Sequence, residues 1–176
     1  MRKKLFIAGL AILCIVTLIG GSVAFRSVTG TAESTVTASN LSIELVMLEE
    51  DESGAQKTVS GDIEILPGQE LSRIAIVKNI GSEPAWVRIS TDPMAENENF
   101  SILDVGTDWT YQDGYWYYNK ALEPGQASQA LFTGIIFSES INSEMSGEQL
   151  ALKVNAEGTQ TAHNGNSALE AQGWPE

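Results

Sequence analysis

Cysteine and histidine are almost missing from this chain: Cys14 and His163 are the only ones in 176 residues. A single cysteine closes no disulfide within the chain, so stability has to come from an apolar core, which a chain of this length can bury without staples. One residue of each kind assembles no His/Cys zinc site and offers no Cys–His or Ser–His–Asp nucleophilic set. Cations are scarce as well. There are 10 Lys and Arg against 23 Asp and Glu, a formal charge of −13, and beyond residue 26 the basic side chains stand singly. A duplex-binding surface needs clustered Lys and Arg to displace counterions, so nucleic acid is not an expected partner, and an anionic membrane surface is disfavoured for the same reason. Carboxylates abound, yet a glycosidase needs two of them held roughly 5 to 10 Å apart, which spacing along a sequence does not establish. The expectation is of no catalytic residue, no cofactor and no metal site.

Only one long hydrophobic run is present, and it lies at the start. Arg2, Lys3 and Lys4 precede an apolar stretch over residues 5–19, and Ser22 and Ala24 place small side chains at the two positions that a signal peptidase inspects. Residues 1–24 therefore read as a secretory signal cleaved between Ala24 and Phe25. The remaining chain would hold 7 Lys and Arg against 23 Asp and Glu, a charge of −16, and no cysteine. Residues 5–25 number 21 and are also long enough to cross a bilayer as an uncleaved anchor. Bulky Leu13 stands before Cys14, where lipidation would call for a small residue.

Residues 25–40 are rich in Ser, Thr, Ala and Gly with isolated Val28 and Val36, the composition of an extended N-terminal arm with little surface to bury. From residue 41 to 176 the chain reads as one β-domain. Leu41, Ile43, Leu45 and Met47 alternate with polar neighbours at the period of a half-buried strand, and further strands are expected over residues 59–66, 71–78, 85–91, 100–103, 127–137 and 150–157. Glu49-Glu50-Asp51-Glu52 forms an acidic loop, either solvated or a carboxylate set for Ca²⁺ that lacks the spaced ligands of an EF-hand. Pro67-Gly68 suits a type II turn, and Leu122-Glu123-Pro124-Gly125-Gln126 repeats Leu66-Pro67-Gly68-Gln69 closely enough to predict an equivalent turn. Short helical segments are expected over residues 143–149 and 167–172, and His163 falls in a polar loop.

The most specific local signal is Asp113-Gly114, a preferred two-residue hairpin turn, set between Trp109-Thr110-Tyr111-Gln112 and Tyr115-Trp116-Tyr117-Tyr118. With that turn Trp109 faces Tyr118 and Tyr111 faces Trp116, so Trp109, Tyr111, Trp116 and Tyr118 share one side. Such a strip either packs on the domain's own core or binds a sugar or a partner. Eight or nine strands with turns every 8 to 12 residues predict a β-sandwich of jelly-roll type.

Several of these segments together resemble the TasA/camelysin family of exported Gram-positive proteins, whose signal is processed by the dedicated peptidase SipW. Gly20-Gly21-Ser22-Val23-Ala24-Phe25 is similar to the family's signal junction, and Thr37-Ala38-Ser39-Asn40-Leu41-Ser42-Ile43 to the approach to its first long strand. Leu66-Pro67-Gly68 with Val77-Lys78-Asn79-Ile80-Gly81-Ser82, then Asp113 to Asn119, Leu122 to Gln126, Leu131-Phe132 and Val154 to Gln160 follow in the family's order. The resemblance implies a jelly-roll subunit of the cell surface or extracellular biofilm matrix, in some members a fibre subunit. Its partners would be the signal peptidase during export, and then another copy or a related matrix subunit joined by strand addition. The donor would be residues 25–37, with Phe25, Val28 and Val36 as anchors. Camelysin-like members are classed as metallopeptidases, but no His-Glu-x-x-His helix is present here. Two alternatives remain: a carbohydrate-binding module that uses the 109–118 hairpin on polysaccharide, and an adhesin-like envelope protein held by an uncleaved first segment.

Overall fold

The structure, a computed structural model, describes residues 27–35, 40–59, 65–92, 99–139 and 149–175. Eleven strands and no helix occur among them: β1 (Ser27–Thr35), β2 (Ile43–Glu50), β3 (Gln56–Thr58), β4 (Glu70–Ser72), β5 (Ile74–Asn79), β6 (Ala85–Asp92), β7 (Phe100–Leu103), β8 (Trp109–Gln112), β9 (Tyr115–Tyr118), β10 (Gly134–Phe137) and β11 (Gln149–Gln160). The protein is all-β. One sheet has the order β1-β11-β6-β9-β8, and two three-stranded ladders run β4-β10-β7 and β3-β2-β5. Every pairing is antiparallel except β1 with β11.

Alternation in the sequence sets the inward face of each strand. In β6, Val87 and Ile89 are wholly buried while Arg88 and Ser90 turn the other way. Val154 and Ala156 of β11 lie beside them; from the ladders come Ile43 and Leu45 of β2, Val77 of β5 and Ile135 and Phe137 of β10, all in the same apolar cluster. Each such side chain contributes about 1.5 to 3 kcal/mol on burial, which is how an all-β chain without a disulfide holds together.

Turn chemistry follows the sequence closely. Asp113 and Gly114 both have positive φ, 51° and 87°, as a type I′ turn demands, and the register Trp109↔Tyr118, Tyr111↔Trp116 is the one the two-residue loop predicts. Gly68 and Gly125 sit at φ 71° and 81°. In each of those turns a glutamine returns to close the loop: Gln69 Oε1 accepts from Leu66 N at 2.8 Å, and Gln126 Oε1 from Glu123 N at 3.2 Å.

Three expectations require correction. A strand not expected from the sequence, β3, precedes residue 59: Asp51 Oδ1 accepts from Ser53 N, Ser53 Oγ and Ala55 N and so closes the acidic loop tightly enough for Gln56 to face Glu50, while most of the strand expected over 59–66 falls outside the described residues. Ile65 is buried and Leu66 exposed, while residues 60–64 lie outside the described residues. The strand expected over 127–137 is regular only from Gly134. Before it, Ser128 N donates to Val77 O and Ser128 Oγ accepts from Val77 N at 3.0 Å, after which pairing resumes at Leu131 with Ala75. A hydroxyl thus takes the place of a carbonyl, and the chain carries one residue too many for a straight ladder.

The third correction concerns helix. Residues 167–172 form a turn, with Glu170 N donating to Ser167 O, and Gln172 N is drawn away to Asn164 Oδ1 at 2.8 Å. So short a segment has no helical stability of its own to oppose those bonds. The helix expected over 143–149 falls outside the described residues except for Gln149, which opens β11.

Candidate functional site

The aromatic hairpin divides its rings between two faces. On the inner face Trp109 (5% exposed) and Tyr118 (4%) have ring centroids 5.0 Å apart and belong to the core. Trp109 Nε1 donates to Gln129 O at 3.1 Å and Tyr118 Oη accepts from Gln129 N at 3.2 Å, so the pair anchors the irregular stretch before β10. Tyr111 and Trp116 stack at 4.7 Å toward the rim of the same face, their planes inclined by 47°. Tyr111 alone of these four is exposed, at 45%. The strip therefore has the shared side expected from its register, but it offers one open ring where a sugar platform needs several coplanar ones.

The outer face carries a second group that sequence reasoning missed. Arg88 in β6 lies directly opposite Glu157 of β11 on one side and Tyr117 of β9 on the other, so all three project from the same face. Its Nε and Nη2 donate to Glu157 Oε2 at 2.7 and 2.6 Å, and Nη1 donates to Tyr117 Oη at 3.2 Å. The guanidinium carbon sits 3.7 Å from the Tyr115 ring centroid and 4.5 Å from that of Trp174, a geometry in which the cation gains from the ring quadrupoles. Trp174 arrives on the C-terminal segment. That segment is tied down by Asn164, whose Nδ2 donates to Gln160 O and Gln172 O, both at 2.9 Å, and whose carbonyl accepts from Trp86 Nε1 at 3.1 Å. The only advance signal is the alternation Trp86, Arg88, Ser90. The partners lie 69 and 29 residues away in sequence from Arg88, and no local pattern joins them.

Glu49 and Glu50, expected in the acidic loop, instead end β2, where both pair with β3; Glu49 Oε2 accepts from Arg73 Nη1 at 2.9 Å and its Oε1 lies 3.1 Å from Lys57 Nζ. The Ser53 hydroxyl, with the amides of Ala55 and Ser53, holds the Asp51 carboxyl below the usual carboxylate range. Glu49 is thus engaged by two cations and Asp51 by the loop's own amides and hydroxyl, and among the described residues no three His, Cys, Asp or Glu side chains converge as a metal site would require. His163 is exposed, with φ 57° in the loop after β11.

The N-terminal arm supplies the remaining feature. Ser27–Thr35 runs parallel to β11 from Ser27↔Gln149 to Thr35↔Glu157, with Val28 opposite Leu150. Phe25 and Val36, and the cleavage residues Ser22 and Ala24, lie outside the described residues. No helix among the described residues is long and apolar enough to cross a membrane. Comparison with family models, with curated proteins and with solved structures gives no match.

Proposed function

We propose that the protein is an exported structural subunit of the cell surface or extracellular biofilm matrix, a β-sandwich of jelly-roll type similar to the TasA/camelysin family, without a catalytic site. It is released by cleavage between Ala24 and Phe25 and joins another copy, or a related matrix subunit, by strand addition. The observation that carries this reading is the parallel pairing of Ser27–Thr35 with β11 along nine consecutive residues. Among the described residues the first strand is paired with the last. A strand added to a sheet edge by main-chain pairing is the kind of element that a second chain can also supply.

The experiment is electron microscopy of the chain beginning at Phe25, incubated at high concentration, beside a chain that lacks residues 25–37. Ordered assemblies from the first and monomers from the second are expected; monomers from both would overturn the self-assembling role. The carbohydrate-binding alternative has less support, since Tyr111 is the one exposed ring of the strip and is tilted against Trp116.

A further inference from the structure

The side chain that ties the C-terminal segment to the end of β11 stands directly before a glycine. Asn164 Nδ2 donates to Gln160 O and Gln172 O, both at 2.9 Å, and to Thr159 Oγ1 at 3.2 Å, while its Oδ1 accepts from Gln172 N at 2.8 Å. That set of partners needs a group that donates and accepts at once, which an amide does and an ionised carboxylate, an acceptor only, does not. The next position needs glycine for a separate reason. Gly165 has φ 70°, and a Cβ there would lie 3.0 Å from both the backbone carbon and the Cβ of Glu170. The two demands together place an Asn-Gly pair here, and no other asparagine of the chain precedes a glycine.

Such a pair carries chemistry of its own, because a glycine amide has no Cβ beside it to obstruct approach to the preceding side chain. Gly165 N bonds to Asn164 Cγ and gives up its proton, and Nδ2 leaves with that proton as ammonia, closing a cyclic imide. Water then adds across one of the two imide C–N bonds. Opening at Cγ leaves aspartate; opening at the main-chain carbonyl leaves isoaspartate, with the chain running through the side-chain carbons. The balance is one water taken up and one ammonia released. Gly165 is exposed, so water reaches the site. In the closed segment the leaving nitrogen is held by its three acceptors, and the reaction therefore starts from local opening of the segment. Neither product restores the tie. A carboxylate in that place turns its oxygens toward Gln160 O and Gln172 O with no proton to share. With the tie go Ala168 and Ala171, which pack with Trp86 and Tyr117, and Trp174, whose ring centroid is 4.5 Å from the Arg88 guanidinium carbon and 5.9 Å from the Tyr117 ring.

We infer that Asn164 is a self-modification site that acts as a one-way latch: opening of the C-terminal segment exposes it to attack by Gly165 N, and the aspartate or isoaspartate formed keeps the segment open and the Trp86–Tyr117 face uncovered. The inference is independent of strand addition. In the experiment, the full chain is aged in mildly alkaline buffer below its unfolding temperature, beside a synthetic peptide of residues 159–172. Peptide mass mapping should find conversion at Asn164 and none at Asn155, which precedes buried Ala156 in β11, and the folded chain should convert more slowly than the peptide. The converted fraction, separated by anion exchange through its added negative charge, should show tryptophan emission shifted to the red and a freely exchanging Gln172 amide, while amides along the β6–β11 pairing stay protected. Asn164→Asp should reproduce both signatures without ageing.

An Asn164 that keeps its amide while the peptide converts would overturn the modification site. Conversion as fast in the folded chain as in the peptide would overturn its dependence on opening. A converted fraction whose Gln172 amide is as protected as before would overturn the latch, and loss of protection along β6 and β11 as well would show general unfolding in place of a local release. These measurements on the aged, unsubstituted chain decide the matter even if Asn164→Asp folds poorly.

Discussion

Arg88 shows what a single residue does in a sheet whose outer face is covered by the chain's own C-terminal segment. Its side chain is 11% exposed and that of Glu157 16%, so the pair is largely out of water and its charges are compensated by each other, by Tyr117 and by two rings. Arg88→Ala leaves Glu157 without a partner and should cost about 3 kcal/mol in urea denaturation. The double variant Arg88→Met/Glu157→Leu removes both charges and should recover more than half of that loss; a double variant as unstable as the sum of the singles would show that the residues act independently. Asp51 gives a pH dependence of definite sign. Its carboxyl titrates lower in the folded loop than in the unfolded chain. The loop's hydrogen bonds are therefore fully stabilising above the unfolded value, near about 3.9, and are lost as pH falls through the lower folded value. The protection factors of the Ser53 and Ala55 amides, followed by NMR, should fall across that acid window and hold above it, while Asp51→Ala should be unprotected throughout.

At the scale of elements, the β8–β9 hairpin is the place where local chemistry and tertiary structure agree most fully. Its turn was legible because a positive φ at two successive residues is cheap only for residues such as Asp and Gly. Gly114 stands at φ 87° with open space around it, so an added methyl would meet no neighbour and the cost of Gly114→Ala is the backbone strain alone. That cost should be about 1 kcal/mol by urea denaturation. A much larger loss would mean that the turn carries a contact beyond its own conformation. The β2 and β6 strands were legible for a comparable reason, since one face of each is buried and period-two alternation records it. The 126–133 stretch was not legible. It has strand-like residues, but whether it forms a regular ladder depends on Ser128 Oγ meeting Val77 N, a contact between residues 51 apart.

At the scale of the whole molecule, the proposed role rests on how the first strand and the last meet. The arm's composition showed that it could extend, and its low apolar content showed that it would not form a core. Nothing in residues 27–35 specified a parallel partner more than a hundred residues away. The deletion of residues 25–37 examines whether the strand joins copies at all.

The sequence by itself determined the acidity, the single long apolar run near its start, the β-rich character, the positions of the glycine turns and the register of the aromatic hairpin. These are properties of composition and of residues within a few positions of one another, where sterics and hydrophobic period act locally. Tertiary structure alone decided which strand lies beside which. It turned the inner aromatic strip into core around Gln129 and gathered Arg88, Glu157, Tyr115 and Trp174 on the opposite face; it also set the arm along β11. Those outcomes come from cross-strand pairing at long separation, where the partner is chosen by the packing of the whole core, and no local spacing encodes it.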